Sequence, residues 1–361
     1  MKITRDGIRH FLSCAGFLLV TGVLFVLCTY LFRPTGRFSR GNIIPFYSEE
    51  KDTLDVMVVG ASGTYRYYSP LAAWHEQGYT SYTYAAGSMQ GSLLITALKD
   101  IEKTQSPRLY LIDARRFLTE HLAEKIGPAF QRYADALDVD VNRFNGIRYF
   151  CSLHDISPEE SIISYLDLIQ YHDNYPAMIS QKNWSMILNR TGSKSAAKGF
   201  HMVGKVRPFE PDPAAQTQNE AWQSEKAESV YLDFLNYCQE NSIPILLVAT
   251  PYLCTESDME EFNMMQRIAD SYGYDFVNLN TSQAYEELGI NFTTDFYNPG
   301  HMNVNGAEKY TAYIAAYIRS HYDIPDHRGE TGYEDWDNGY QQYAEKVKKA
   351  QAEIEKSLNA A

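Results

Sequence analysis

At 361 residues, with 45% hydrophobic and 21% charged side chains, the chain excludes wholesale disorder and has length for one large α/β unit or two average domains. A formal net charge of −13, from 32 basic and 45 acidic residues, argues against a nucleic-acid surface, which depends on concentrated Lys and Arg. Five cysteines (Cys14, Cys28, Cys151, Cys238 and Cys254) form no Cys-x-x-Cys pair, which argues against a zinc ribbon or a redox dithiol. One disulfide among the last three and buried free thiols stand equally.

The first element is an apolar run without a charge, residues 11–32, preceded by a basic n-region at 1–10 that contains Lys2, Arg5 and Arg9. At about 1.5 Å per residue such a run spans roughly 30 Å as a helix, the thickness of bilayer hydrocarbon. It is longer than the core of a usual signal peptide and no small-x-small site closes it, so a transmembrane anchor is expected rather than a cleaved leader. Arg33, Arg37 and Arg40 follow closely, which nearly balances the flanking charges.

Residues 33–52 read as a polar linker. Short apolar strands are then expected at Thr53–Val59, Tyr82–Ala85, Arg108–Asp113, Ile243–Ala249 and Asp275–Leu279. Helical patterns fall at Gly91–Ile101, Glu228–Asn241, Ser257–Tyr272 and Gly306–Ser320. This alternation predicts a three-layer α/β/α sandwich with a mostly parallel sheet over residues 53–325, interrupted by a less regular insertion around 115–225. Ligands of such sheets sit beyond the C-terminal strand ends, which brings Ser62, Gly87, the Thr250-Pro251 turn and the 291–305 loop towards one another. Residues 326–361 are an acidic, aromatic segment and a charged helix, whose packing face is expected to carry Tyr340, Tyr343, Val347 and Ile354. A solvated surface helix is the leading expectation for that tail, ahead of partner binding.

Two segments can carry chemistry. Gly60-Ala61-Ser62-Gly63 ends the first strand in a small-residue turn that lifts a hydroxyl from the sheet edge, with the Ser62 and Gly63 amides as oxyanion donors. A structural turn serine is the competing reading. The turn is neither a Gly-x-Ser-x-Gly elbow nor a dinucleotide fingerprint. The second segment runs from Asp295 through Asn298 and His301 into the helix at Gly306. Its single His is a natural general base, and a carboxylate or amide on the same loop can hold the ring in one tautomer. The nine His residues are scattered without a His-Glu-x-x-His, so no metal and no other cofactor is expected. Sequons such as Asn183-Trp184-Ser185 are taken as chance matches.

In these motifs the chain resembles the SGNH/GDSL hydrolases, and in particular the membrane-anchored branch found beside membrane-bound O-acyltransferases in Gram-positive bacteria. D-alanyl-lipoteichoic acid transfer protein D and alginate-type O-acetylases are more distant likenesses. Gly60-Ala61-Ser62 matches the family's Gly-x-Ser, Gly87 its second oxyanion glycine, and His301-Met302-Asn303 with Gly306 and Ala307 its closing motif. The family places Asp three residues before the His, where this chain has Asn298; Asp295, six before, and Asn298 both remain candidates to orient the ring. The family's oxyanion Asn has no match at Asp113-Ala114-Arg115.

The resemblance implies serine-dependent O-acyl transfer, acetyl first, to a cell-surface or secreted polysaccharide, with an integral membrane O-acyltransferase as acyl supplier and the main domain outside the cell. A carbohydrate esterase and a catalytically silent glycan-binding scaffold are the rival readings. Tyr65, Tyr67, Tyr68, Gln90 and Asn303 are candidate substrate contacts, the three tyrosines serving as sugar platforms or as core packing.

Overall fold

The computed structural model describes residues 5–34, 38–118, 127–180, 184 and 194–360. Asn183 and Ser185 of the sequon, together with Lys2 and Arg37 of the anchor flanks, lie outside them.

Five short strands form one parallel sheet: β1 Val56–Gly60, β2 Ser81–Ala85, β3 Leu109–Asp113, β4 Ile245–Ala249 and β5 Asp275–Asn278, in the order β2-β1-β3-β4-β5. The strands predicted from apolar, β-branched runs all form, each within about three residues of the expected ends. Every residue of β1 to β4 is buried, as expected of a parallel sheet covered on both faces. Alternation within each strand divides the core. Met57, Val59, Tyr110, Ile112, Ile245 and Leu247 point to one layer, packed with helices Leu94–Ile101 and Glu225–Glu240. Val56, Val58, Leu109, Leu111, Leu246 and Val248 point to the other, packed with helix Val304–His321. The result is the expected sandwich, and it is consistent with an SGNH-like topology.

Before it stands helix Arg5–Phe32, long and apolar enough to cross a membrane. Most of its apolar side chains are exposed, but its last turn is not: Thr29, Leu31 and Phe32 are buried. Tyr30 Oη donates to Asp138 at 2.6 Å, and the buried Arg33 Nε donates to Asp167 Oδ2 at 2.6 Å. The end of this helix is therefore built into the segment between β3 and β4, through helix Asp167–Gln170 and the 3₁₀ segment His172–Ile179.

The C-terminal helix, Glu334–Asn359, packs on the main core through Trp336, Tyr343, Val347, Ala350 and Ile354. Trp74 Nε1 donates to Asp337 Oδ1 at 2.9 Å, and Tyr340 stacks on His75. The tail is thus a packed layer on the domain, with only its outer face solvated. All five cysteines are free, with Cys151, Cys238 and Cys254 buried, so the disulfide alternative is not realised.

Candidate functional site

The order in which strands are added to the sheet reverses at β1. The chain runs from β1 to its neighbour β2 and then returns to β3 on β1's other side, leaving a crevice at the C-terminal end of β1. Gly60 pairs with Ala85 in register, so Ser62 and Gly87, each two residues further on, emerge side by side. Gly60 is obligatory here for steric reasons. A Cβ would lie 2.1 Å from Thr64 Oγ1 and 2.7 Å from Asp113 Cβ. Thr64 uses this proximity, accepting from the Ala61 amide at 3.1 Å and donating to Asp113 Oδ2 at 3.1 Å. The turn that presents Ser62 is thereby fixed to the end of β3.

The opposite wall is a small antiparallel hairpin, β6 Phe296–Asn298 and β7 His301–Met302, turned by Pro299-Gly300. Asn298 and His301 are cross-strand partners, so their side chains share a face. Asn298 Oδ1 lies 2.8 Å from His301 Nδ1 and also accepts the Gly300 amide at 3.0 Å. Because the Gly300 N–H can only donate, the oxygen end of Asn298 must face it, and Nδ1 of the imidazole must then carry the proton. That leaves Nε2 as a bare acceptor, 2.7 Å from Ser62 Oγ. Ser62, His301 and Asn298 form one hydrogen-bonded relay.

Asp295 does not take part. Its carboxylate accepts from the Asn291 amide at 2.7 Å, from Thr294 Oγ1 at 2.9 Å and from Lys309 Nζ at 2.8 Å. It braces the loop behind the hairpin, since a position six residues before the His lies beyond the cross-strand pair. Asn303 is also structural. It caps helix Val304–His321 by accepting the Asn305 amide at 2.9 Å, and it donates to Thr294 O at 2.8 Å. Tyr67 and Tyr68 are 0% exposed and closed to a sugar face: Tyr68 Oη bonds the hydroxyls of Tyr79 and Ser81 inside the second core layer. Tyr65 is buried, with its hydroxyl 3.6 Å from where a Gly87 Cβ would stand. Gln90 is buried beside this turn, and among the described residues its Oε1 has no hydrogen-bond partner. Among the described residues the amides of Ser62, Gly63 and Gly87 donate to no acceptor, so all three remain free for an oxyanion. No group of three or more potential metal ligands gathers among the described residues.

Arg115 is the main feature that motif reasoning passed over. It occupies the end of β3, where the family's Asn was sought. Its Nη1 donates to Gly300 O at 3.1 Å, Tyr67 Oη donates to the same carbonyl at 2.9 Å, and its guanidinium lies 3.9 Å above the Tyr252 ring. The residue before His301 is therefore clamped from two sides. Tyr297 stacks on the imidazole at 5.7 Å and 25°. Strand-end position was the available signal for Arg115; for Tyr297 it was adjacency to the hairpin turn.

Burial, and then the charges of Arg115, Arg66 and Arg116, push His301 down to about 3. The imidazole is thus neutral at ordinary pH and able to accept a proton from Ser62. Asn298 contributes no charge to stabilise the imidazolium that would follow. No protein-family model, curated protein or solved structure matches this chain.

Proposed function

We propose that the protein is a membrane-tethered, serine-dependent O-acyl transferase of SGNH type, acting on a cell-surface or secreted polysaccharide. The observation that carries this reading is the Ser62–His301–Asn298 relay at the topological switch point of the sheet.

In this reading Ser62 Oγ attacks an acyl carbonyl while His301 Nε2 takes its proton. The oxyanion is received by the free amides of Ser62, Gly63 and Gly87. Collapse forms the Ser62 ester, with His301 returning the proton to the leaving group. A glycan hydroxyl then repeats the sequence in reverse; water in its place makes the protein an esterase with the same residues. The buried last turn of the N-terminal helix supports an anchor retained in the mature protein, because its removal would strip Tyr30 from Asp138 and take the buried Leu31 and Phe32 out of the domain. A retained anchor suits a partner in the same bilayer, an integral membrane O-acyltransferase supplying acyl groups to a domain on the outer face of a Gram-positive cell. One observation favours a second reading, a silent glycan-binding scaffold: the neutral Asn298 where a carboxylate would support the imidazolium.

The test is turnover of a fluorogenic acetyl ester by the full-length protein in uncharged detergent, beside Ser62→Ala. The expected result is a loss of at least about a thousandfold in the variant. Equal turnover in both proteins removes Ser62 as nucleophile, and the scaffold reading then takes precedence.

A further inference from the structure

Residues 11–26 of the N-terminal helix are almost wholly exposed and cover about 24 Å at 1.5 Å per residue. Bilayer hydrocarbon is about 30 Å thick, so the helix reaches the membrane–water boundary only in its last turn. That turn is the part buried in the domain, through Thr29, Leu31 and Phe32. Whatever grips it stands at the boundary with it. The groups that bond this turn come from one segment between β3 and β4. Val139 donates its amide to Tyr30 Oη at 3.1 Å, and Asn174 Nδ2 donates to Phe32 O at 2.8 Å. Asp167 accepts Arg33 Nε at 2.6 Å on one oxygen and Arg143 Nη2 on the other.

The same segment carries the exposed apolar side chains of the domain. Outside the N-terminal helix, every large apolar or aromatic residue that is exposed among the described residues lies between Val141 and Trp184. Val141 follows Val139 by two positions, Phe144 follows Arg143, Ile169 follows Asp167 by two and Tyr175 follows Asn174. Each therefore stands beside a residue of the network that holds the helix end. Ile162 joins them across an open groove of about 360 Å³ between helices Val141–Leu153 and Pro158–Tyr165, lined by Phe144, Cys151, Ile156, Pro158, Ile162 and Tyr165. Soluble surfaces scatter such residues singly; gathered in one segment they mark a face that is covered. The exposed charges nearby are mixed, Arg148 against Glu159, Glu160 and Asp173, so attraction to anionic headgroups is not what holds it.

We propose that this face, from Val141 to Tyr175, is bedded in the lipid of the membrane that the helix crosses, as a second, interfacial contact beside the anchor. Lipid is the occupant the geometry selects, because the helix length sets the height of the segment and the bilayer is continuous with the anchor surface already in it. Tyr175 and Trp184 are of the residue types that settle at headgroup level. The consequence reaches the site. Helix Pro128–Ala134 belongs to the same segment, and Arg132 on it has its Nη1 3.5 Å from the point where a Gly87 Cβ would be. A bedded segment therefore holds the Ser62 crevice at one height and one orientation over the bilayer, where a single helix would leave the domain free to swing. The proposal rests on the anchor spanning the membrane and not on the chemistry of Ser62.

The experiment uses the full-length protein, one copy per nanodisc of neutral phosphatidylcholine, with and without bromine on the acyl chains. Tryptophan is introduced one position at a time: Phe144→Trp, Ile169→Trp and Tyr175→Trp in the proposed face, and Leu24→Trp in the anchor. Glu286→Trp, on helix Ser282–Leu288 beyond β5, is the exposed control. Each is read as the difference from the unsubstituted protein, and bromine quenches only a ring that reaches the acyl chains. The expected result is that the emission added at the face positions falls by at least about half in brominated lipid and shifts to the blue, as with Leu24→Trp, while that of Glu286→Trp is unchanged. The face variants exchange one large exposed side chain for another, so their thermal midpoints should match that of the unsubstituted protein. Quenching of Leu24→Trp without quenching at any face position overturns the proposal and leaves the anchor standing; a ring left in water there is the result of a face reserved for a protein partner. No quenching of Leu24→Trp removes the anchor, and the proposal with it. Neither result bears on ester turnover by Ser62, which is measured separately.

Discussion

Replacing Asn298 with Asp adds one oxygen for one nitrogen and places a full negative charge where the structure has an amide. Asn298 Oδ1 is 2.8 Å from His301 Nδ1, which puts the new charge about 4 Å from the centre of a protonated ring. At an effective dielectric near 20, that attraction is worth about 4 kcal/mol in favour of the imidazolium. The corresponding displacement is about three pH units. A nearby anion stabilises the protonated form, so His301 rises, from about 3 towards roughly 6. Native protein should therefore show kcat/KM without an acidic limb between pH 5 and 8, because the imidazole is neutral throughout. Asn298→Asp should acquire a limb near pH 6, and above it should turn over ester about ten to a hundred times faster, since the imidazolium of the transition state is now supported. Two assays read this: the pH–rate profile with the fluorogenic ester, and NMR titration of the His301 ring, which needs no turnover. A ring that titrates near 6.5 in the native protein, or one whose titration does not move upward in Asn298→Asp, would refute the electrostatic reasoning.

Two further predictions concern the frame of the site. Gly60→Ala forces a Cβ to within 2.1 Å of Thr64 Oγ1 and should cost about 3 kcal/mol, lowering the thermal midpoint by several degrees and the Ser62-dependent rate with it; an unchanged midpoint shows that the strand end can open. Asp167→Ala removes the buried carboxylate shared by Arg33 and Arg143 and should cost about 3–5 kcal/mol in thermal unfolding of the full-length protein. A midpoint that stays put would mean that the N-terminal helix is only loosely joined to the domain.

The strands, the helix long enough to span a bilayer and the order of the two chemical motifs were legible in the sequence, because each rests on local pattern. Runs such as Met57-Val58-Val59 and Leu246-Leu247-Val248 have nowhere to go but a buried sheet, and the strand-end rule then gathers Ser62, Gly87 and the His301 loop. Asn303 was legible as part of a motif but misread in kind: an Asn just before a helix is first a cap, and it is one here. What pattern could not decide were the choices made by contacts distant in sequence. Whether Asp295 or Asn298 faces the imidazole depends on a two-residue hairpin turn, and Lys309, fourteen residues away, claims the carboxylate. Tyr65, Tyr67 and Tyr68 look alike as a string, yet the packing of helix Val304–His321 buries Tyr67 and Tyr68 in the second layer, against Tyr79, Ser81 and Tyr310. Arg115 and Arg132 carry no motif at all. They meet the Ser62 crevice because the segment after β3 folds back across the strand ends, and only that tertiary return turns surface-type residues into the electrostatic wall of the site.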